Sequence, residues 1–275
     1  MLEPVVPGGA LARRLAAHEL AIHASGTREL RPLGDAVLLI DPTDPEPFWN
    51  RIAAPDWPAD AAAFERRLDE VVTLFATLGR LPHVRTLPLA NRPVDLGARL
   101  VESGFRLVGA DRSMVLEDPG PCLALARTLS ARSGLRLEHV GRGPELGAME
   151  VARLLVQAFD VETDRLPGLG AETIAAGRRP GGAVLLLFDA GIPAAAGRRI
   201  TVDGGTYLSS IGTVPELQGR GLGSLVTAVA VAEALEEGTR FVHLLVEATN
   251  RTAIGVYERL GFVTLGEPIL DLLMR

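Results

Sequence analysis

Apolar positions at helical spacing mark five stretches of the chain. Leu11, Leu15, His18 and Ile22 fall on one face of a helix. Phe64, Leu68, Val71, Phe75 and Leu78 mark a second helix. Val94–Glu102 reads as a third. Val151, Leu154, Leu155, Ala158 and Phe159 place a fourth over Glu145–Phe159, and Thr252–Leu260 forms a short one closed by Gly261. A further helix is expected within Ala171–Arg178. Another runs from about Gly221 to Glu237, closed by Gly238. Runs rich in Val, Ile and Leu give the strands: Ala36–Ile40, Val84–Leu89 and Phe105–Leu116, then Leu135–Val140, Ala183–Phe188, Pro193–Val202, Thr206–Val214, Arg240–Val246 and Phe262–Leu273. Pro88 removes a ladder donor near the end of the second of these. The turns Asp189-Ala190-Gly191 and Asp203-Gly204-Gly205 predict antiparallel hairpins.

The pattern divides near Pro119-Gly120-Pro121, which continues neither a helix nor a central strand. The expected organisation is residues 1–118, a linker at 119–134, and residues 135–275. The two parts share an ending. Glu102-Ser103-Gly104-Phe105 with Gly109 matches Arg259-Leu260-Gly261-Phe262 with Gly266, at an offset of 157 residues. Strand, loop, helix, Gly-Phe and strand follow in the same order in both, so a duplication is expected.

Composition narrows the function. At 275 residues and 47% hydrophobic, the chain can bury a core. A net charge of -6 argues against a nucleic-acid partner. All 28 basic residues are arginine, which excludes lysine Schiff bases and a P-loop lysine. The single Cys122 allows no internal disulfide, and its Pro/Gly setting suits an inert thiol better than a nucleophile. Five histidines show no metal-ligand spacing, so no metal is expected. The N-terminus lacks the basic start of a signal peptide, and no apolar run reaches the ~18 residues of a membrane helix. A soluble, cytoplasmic protein without membrane partners is the expectation.

The chemistry concentrates in Gln218-Gly219-Arg220-Gly221-Leu222-Gly223, which follows a predicted strand and opens a predicted helix. A helix N-terminus carries unpartnered N–H groups and partial positive charge, which suit a phosphate. The glycines allow close backbone approach, and Arg220 adds a forked donor. The dinucleotide fingerprint fails because Ser224 stands where its third glycine is needed, and the P-loop fails for want of lysine. A glycine-rich turn that merely caps a helix has the same local pattern.

What remains, Gln-x-x-Gly-x-Gly, resembles the pyrophosphate loop of the GNAT superfamily of acyl-CoA-dependent N-acyltransferases. Ile211-Gly212-Thr213-Val214-Pro215-Glu216 resembles that family's fourth strand. Asn250-Arg251-Thr252-Ala253 and Tyr257-Glu258-Arg259-Leu260-Gly261-Phe262 resemble its closing motif. The resemblance covers residues 135–275. It implies an α/β (α+β) fold of tandem GNAT-like domains, each a mostly antiparallel mixed sheet flanked by helices. It implies acetyl-CoA as acyl donor and a small-molecule or peptide amine as acceptor. Ile211, Gly212 and Thr213 would offer backbone groups to pantetheine, Gln218 to Ser224 would wrap the pyrophosphate, and Asn250 would contact the pantetheine arm. A backbone N–H near Ile211 or Gly212 would polarise the thioester carbonyl. Tyr257 would be the general acid.

Two of these roles have structural alternatives. Ile254, Tyr257 and Leu260 share a helix face, a packing pattern, and Asn250 suits a helix N-cap. Glu247, His243, Asp160, Glu162 and Asp164 remain open as general bases. In the first part Leu100 stands at the Tyr257 position, and Asp56-Trp57-Pro58-Ala59-Asp60 replaces the glycines. Acids there stabilise a helix start but repel phosphate. A tandem layout with only the second copy intact is similar to the mycothiol synthases, which acetylate a sugar-linked cysteine amine. The expected function is N-acetyl transfer by direct attack in a ternary complex. The alternative is a non-catalytic acyl-CoA-binding sensor or scaffold.

Overall fold

A computed structural model describes residues 2–141 and 146–275. Its elements in chain order begin with α1 (Gly9–His23), β1 (Glu29–Pro32), β2 (Val37–Ile40), β3 (Arg51–Ala53) and α2 (Ala61–Leu78). Next come β4 (His83–Arg85), α3 (Leu96–Glu102), β5 (Arg106–Leu116), α4 (Gly120–Ala126), β6 (Leu135–Val140), α5 (Leu146–Phe159) and α6 (Leu166–Arg178). The chain continues through β7 (Gly182–Asp189), β8 (Ile192–Val202), β9 (Gly205–Thr213), α7 (Leu222–Glu236) and β10 (Phe241–Glu247). It ends with α8 (Arg251–Arg259), β11 (Phe262–Thr264) and β12 (Ile269–Leu273). Of the helix expected at Glu145–Phe159, Glu145 lies outside the described residues.

Contacts divide the chain into two units that do not follow its linear order. The first comprises residues 6–113, 246–251 and 264–275. The second comprises residues 114–245 and 252–263 with an N-terminal segment ending at Val5. The chain passes from the first unit to the second at Ser113/Met114. The C-terminal residues 264–275, expected with the second part, group instead with the first unit.

In the first unit β1, β2 and β3 are antiparallel neighbours, β3 and β4 run parallel, and β12 lies between β4 and β5, antiparallel to both. β12 supplies Leu272 to a core built on Phe64, Leu68, Val71 and Phe75 of α2 with Leu96 and Leu100 of α3. The expected strand Phe262–Leu273 is therefore two strands. Gly266, at φ 61, and Pro268, which has no N–H to donate, interrupt it. β12 also brings Asp271 against His83 Nε2 at 2.9 Å and Arg85 Nη1 at 2.9 Å, in a buried charged network. Burial raises the Asp271 pKa, but the His83 hydrogen bond and the Arg85 charge outweigh it and leave the carboxyl below its usual range.

The second unit is a meander with one parallel addition. β6, β7, β8 and β9 are antiparallel neighbours, and β10 joins β9 in parallel. Both hairpin turns form where the sequence predicted them: Ala190 and Gly191 have φ 50 and 84, and Asp203 and Gly204 have φ 50 and 76. α5 packs on β8 and β9, and α7 packs on β7, β8 and β9. α7 is apolar nearly all round, from Leu222 through Ala234. A helix without a polar stripe must be covered on both faces, and α4 supplies the second cover. The expected linker 119–134 thus contains a helix. Pro119-Gly120-Pro121 starts it, since proline is tolerated in a first helical turn, where no intrahelical N–H bond is required.

Candidate functional site

The site is organised by the end of β9. Its register with β10 runs from Gly205↔Phe241 to Leu208↔Leu244. β9 continues to Thr213, paired with β8. Ser210 has φ 52, and the β8–β9 register shifts between Ala196 and Arg198, so a bulge falls where the β10 pairing ends. Ser209–Thr213 therefore extends past the last β10 rung, and this stretch holds the expected Ile211, Gly212 and Thr213. A Cβ on Gly212 would stand 2.9 Å from the Ala158 Cβ of α5, so this glycine permits close helix–sheet packing.

Beyond β9 the chain turns through Pro215–Leu217 into the glycine loop. Gly219 and Gly221 take φ 77 and 76, the left-handed region that glycine enters most cheaply. A Cβ on either would meet nothing within 4 Å, so the space beside them is open. Gly221 is the N-cap of α7 and provides no side-chain cap. The first helical bond runs from the Leu225 N–H to the Gly221 carbonyl at 3.0 Å. The N–H groups of Leu222, Gly223 and Ser224 consequently have no intrahelical acceptor and carry the positive end of the helix dipole.

Gly223 has a second reason to be glycine: its Cβ would stand 3.0 Å from Thr213 Oγ1. The same threonine's carbonyl accepts from Gln218 Nε2 at 3.4 Å. The loop, the α7 start and the β9 end thus form one surface. Leu222 is buried and anchors the helix start. Arg220 does not project freely. Its Nη1 lies 2.7 Å from Asp189 Oδ2, at the tip of the β7–β8 hairpin. Asp189 was legible in the sequence only as a turn residue; nothing in the periodicity signals that partnership.

Tyr257 lies on α8 with Ile254, and both are buried. Its ring meets Phe262 edge-on at 5.9 Å. Burial pushes the phenol up to about 12, so it holds its proton throughout the neutral range. Asn250, just before α8, groups by contacts with the first unit, where its N–H donates to the Glu247 carbonyl at 2.9 Å. Of the open base candidates, Asp160, Glu162, Asp164 and Glu247 are exposed. His243 is buried, with ring centroids 5.0 Å from Tyr207 and 5.9 Å from Phe241.

Cys122 is buried and donates to the Leu260 carbonyl at 3.2 Å; burial pushes its thiol up to about 12, far from a nucleophile. Among the described residues no group of His, Cys, Asp or Glu is arranged to hold a metal ion, and no helix is long and apolar enough to cross a membrane.

Residues 185–268 match the family model described as FR47-like protein, a stretch that contains β9, the glycine loop, α7 and α8. A mycothiol acetyltransferase of Gordonia bronchialis is 37% identical over 123 residues, which cover 41% of this chain and 39% of that relative. The match thus spans about two fifths of that relative's length. Among solved structures, a GCN5-related N-acetyltransferase from Kribbella flavida superposes with a TM-score of 0.71 at 23% identity, covering 96% of this chain and 95% of that one. A tandem GNAT protein from the clavulanic acid biosynthesis pathway superposes with a TM-score of 0.62 at 16% identity, covering 96% and 93%. These two share the fold over nearly the whole chain. The chain thus has the fold of these acetyltransferases, and the stretch that matches the family model contains the loop at the end of β9 and the bulge beside it.

Proposed function

We propose that the protein is an N-acetyltransferase that moves an acetyl group from acetyl-CoA to a primary amine by direct attack in a ternary complex. The observation that carries this reading is the uncapped start of α7. Its N–H groups are presented by two left-handed glycines with open space beside them. That arrangement fits a pyrophosphate. Ser209–Thr213, past the last β10 rung, fits an extended pantetheine arm that takes the place of a strand.

In the reaction the amine nitrogen attacks the thioester carbonyl carbon. Charge that builds on the carbonyl oxygen is met by a backbone N–H near Ile211 or Gly212. The C–S bond then breaks, the thiolate leaves against the Tyr257 hydroxyl, and the nitrogen's surplus proton passes to solvent or a base. The two acidities decide what Tyr257 contributes. Its pKa is pushed up to about 12, whereas a free thiol titrates near ~8.5. Complete proton transfer is therefore uphill at the outset, and the hydroxyl acts first as a hydrogen-bond donor to the developing thiolate. Since Cys122 is buried and protonated, no acyl-enzyme step is assigned to it. One acetyl-CoA per chain, held by the second unit, follows from the same reading.

The relatives named mycothiol acetyltransferase make a cysteinyl-sugar amine the first acceptor to assay. Release of free thiol from acetyl-CoA across a panel of amines, that one included, tests the proposal. Amine-dependent release supports it. Tight CoA binding with no release for any amine favours the sensor or scaffold reading instead.

A further inference from the structure

The glycine loop is thinly packed. Around Gly219 and Gly221 there is nothing within 4 Å of either Cβ position, and Gln218 ties back through a 3.4 Å contact. The short tie is Arg220 Nη1 to Asp189 Oδ2, at 2.7 Å. Asp189 is a fixed post. It pairs in register with Leu135 of β6 and Ile192 of β8, and the left-handed Ala190 and Gly191 set the turn behind it. The Asp189 side chain is only 15% exposed, against 54% for Arg220. A long, exposed side chain is thus tied to a short one that is largely covered. The tie engages one nitrogen of a guanidinium that carries five N–H donors, which leaves the rest of the fork to bind elsewhere.

We propose that Asp189 is a positioning residue for the acyl donor: it grips Arg220 by Nη1 so that the rest of the guanidinium faces the pyrophosphate at the α7 N-terminus. The proposal rests on the acyl-CoA reading above. Asp189 also carries a negative charge near a phosphate site, so two effects oppose each other. The ion pair acts at contact distance. Repulsion of a phosphate acts farther off and through solvent, where salt screens it within ~8–10 Å. Positioning therefore dominates.

Calorimetric titration with CoA, and in parallel with pantetheine, tests this in wild type, Asp189→Asn, Arg220→Ala and the double variant. Pantetheine lacks the pyrophosphate, so it reports general damage to the groove. Asp189→Asn is expected to weaken CoA roughly three- to tenfold, the scale of releasing one ordered side chain. Arg220→Ala should weaken it at least as much, the double variant no further, and pantetheine should bind all four proteins alike. Tighter CoA binding by Asp189→Asn would make Asp189 a competitor of the phosphate and overturn the proposal. So would an unchanged affinity, fully additive losses, or an equal loss for pantetheine. Failure of the wild type to bind CoA would overturn the acyl-CoA reading itself, a result distinct from any of these.

Discussion

α2 and α7, the helices that follow β3 and β9 in the chain, start in different ways. α2 begins after Asp60, whose carboxylate accepts the Ala63 N–H at 2.9 Å. α7 begins after Gly221, which offers no side chain. A capped helix start has spent one of its N–H donors on the protein's own acid, and an uncapped one leaves that donor available. The groove beside α2 is lined by Glu65, Asp69, Asp95 and Glu102 against Arg99, an acidic balance that further disfavours a phosphate. Around these two starts the scaffold agrees. Gly104 and Gly261 have φ 94 and 90, and the following Phe105 and Phe262 are each 2% exposed. Leu100 and Tyr257 are both buried at the same offset from that glycine. A fold can therefore be kept by its glycine hinge and apolar contacts, while its chemistry depends on a few positions that packing does not dictate.

Exchanging the features of the two helix starts sharpens the contrast. The largest effect is expected from Gly221→Asp, which places a carboxylate at the bare N-terminus. CoA affinity should fall by at least about a hundredfold while the melting temperature stays close to wild type, since aspartate tolerates the left-handed region. Calorimetry with a thermal melt checks both halves of that expectation.

Tyr257→Phe comes next. It keeps the ring against Phe262 and deletes the hydroxyl, so turnover should drop roughly ten- to a thousandfold with little change in CoA affinity. The raised pKa adds a pH expectation. The folded chain holds this proton more tightly than the unfolded one, whose tyrosine titrates at its ordinary 10.0. The contribution of Tyr257 to stability is thus complete below pH 10.0 and is lost as pH rises toward about 12. Tyr257→Phe should lose less melting temperature than wild type over that interval.

A smaller change is expected from Asp60→Ala, which removes the cap of α2. It should cost about 1 kcal/mol of stability in a denaturant titration and leave CoA affinity unchanged. Cys122→Ala should be the mildest for catalysis, with turnover within about twofold of wild type because no step passes through the thiol. A collapse of turnover in a folded Cys122→Ala protein would point to a covalent route.

Much of the second unit was legible because its signals are local. Continuous apolar runs and two-residue turns gave β7, β8 and β9, and the glycine loop announced the start of α7. The misses have physical causes. β1 is exposed at all four positions and β3 is three residues long, so neither writes a period into the sequence. α4 was hidden by its prolines. The signal for it lay elsewhere, in the missing polar face of Leu222–Ala234, which requires a covering element. The destination of β12 depends on pairing with β4 and β5, far away in sequence, and local pattern carries no such information. The Arg220–Asp189 pair was invisible for the same reason, whereas the burial of Tyr257 was legible from the helix face it shares with Ile254.

The direct test of the contrast between the two helix starts is the stoichiometry of CoA binding to the intact chain by calorimetric titration. One CoA per chain is expected, with affinity at least about a hundredfold weaker in Gly221→Asp and unchanged in Asp60→Ala. Two equivalent sites per chain, or an unchanged affinity in a folded Gly221→Asp protein, would contradict the assignment of the acyl donor to the start of α7.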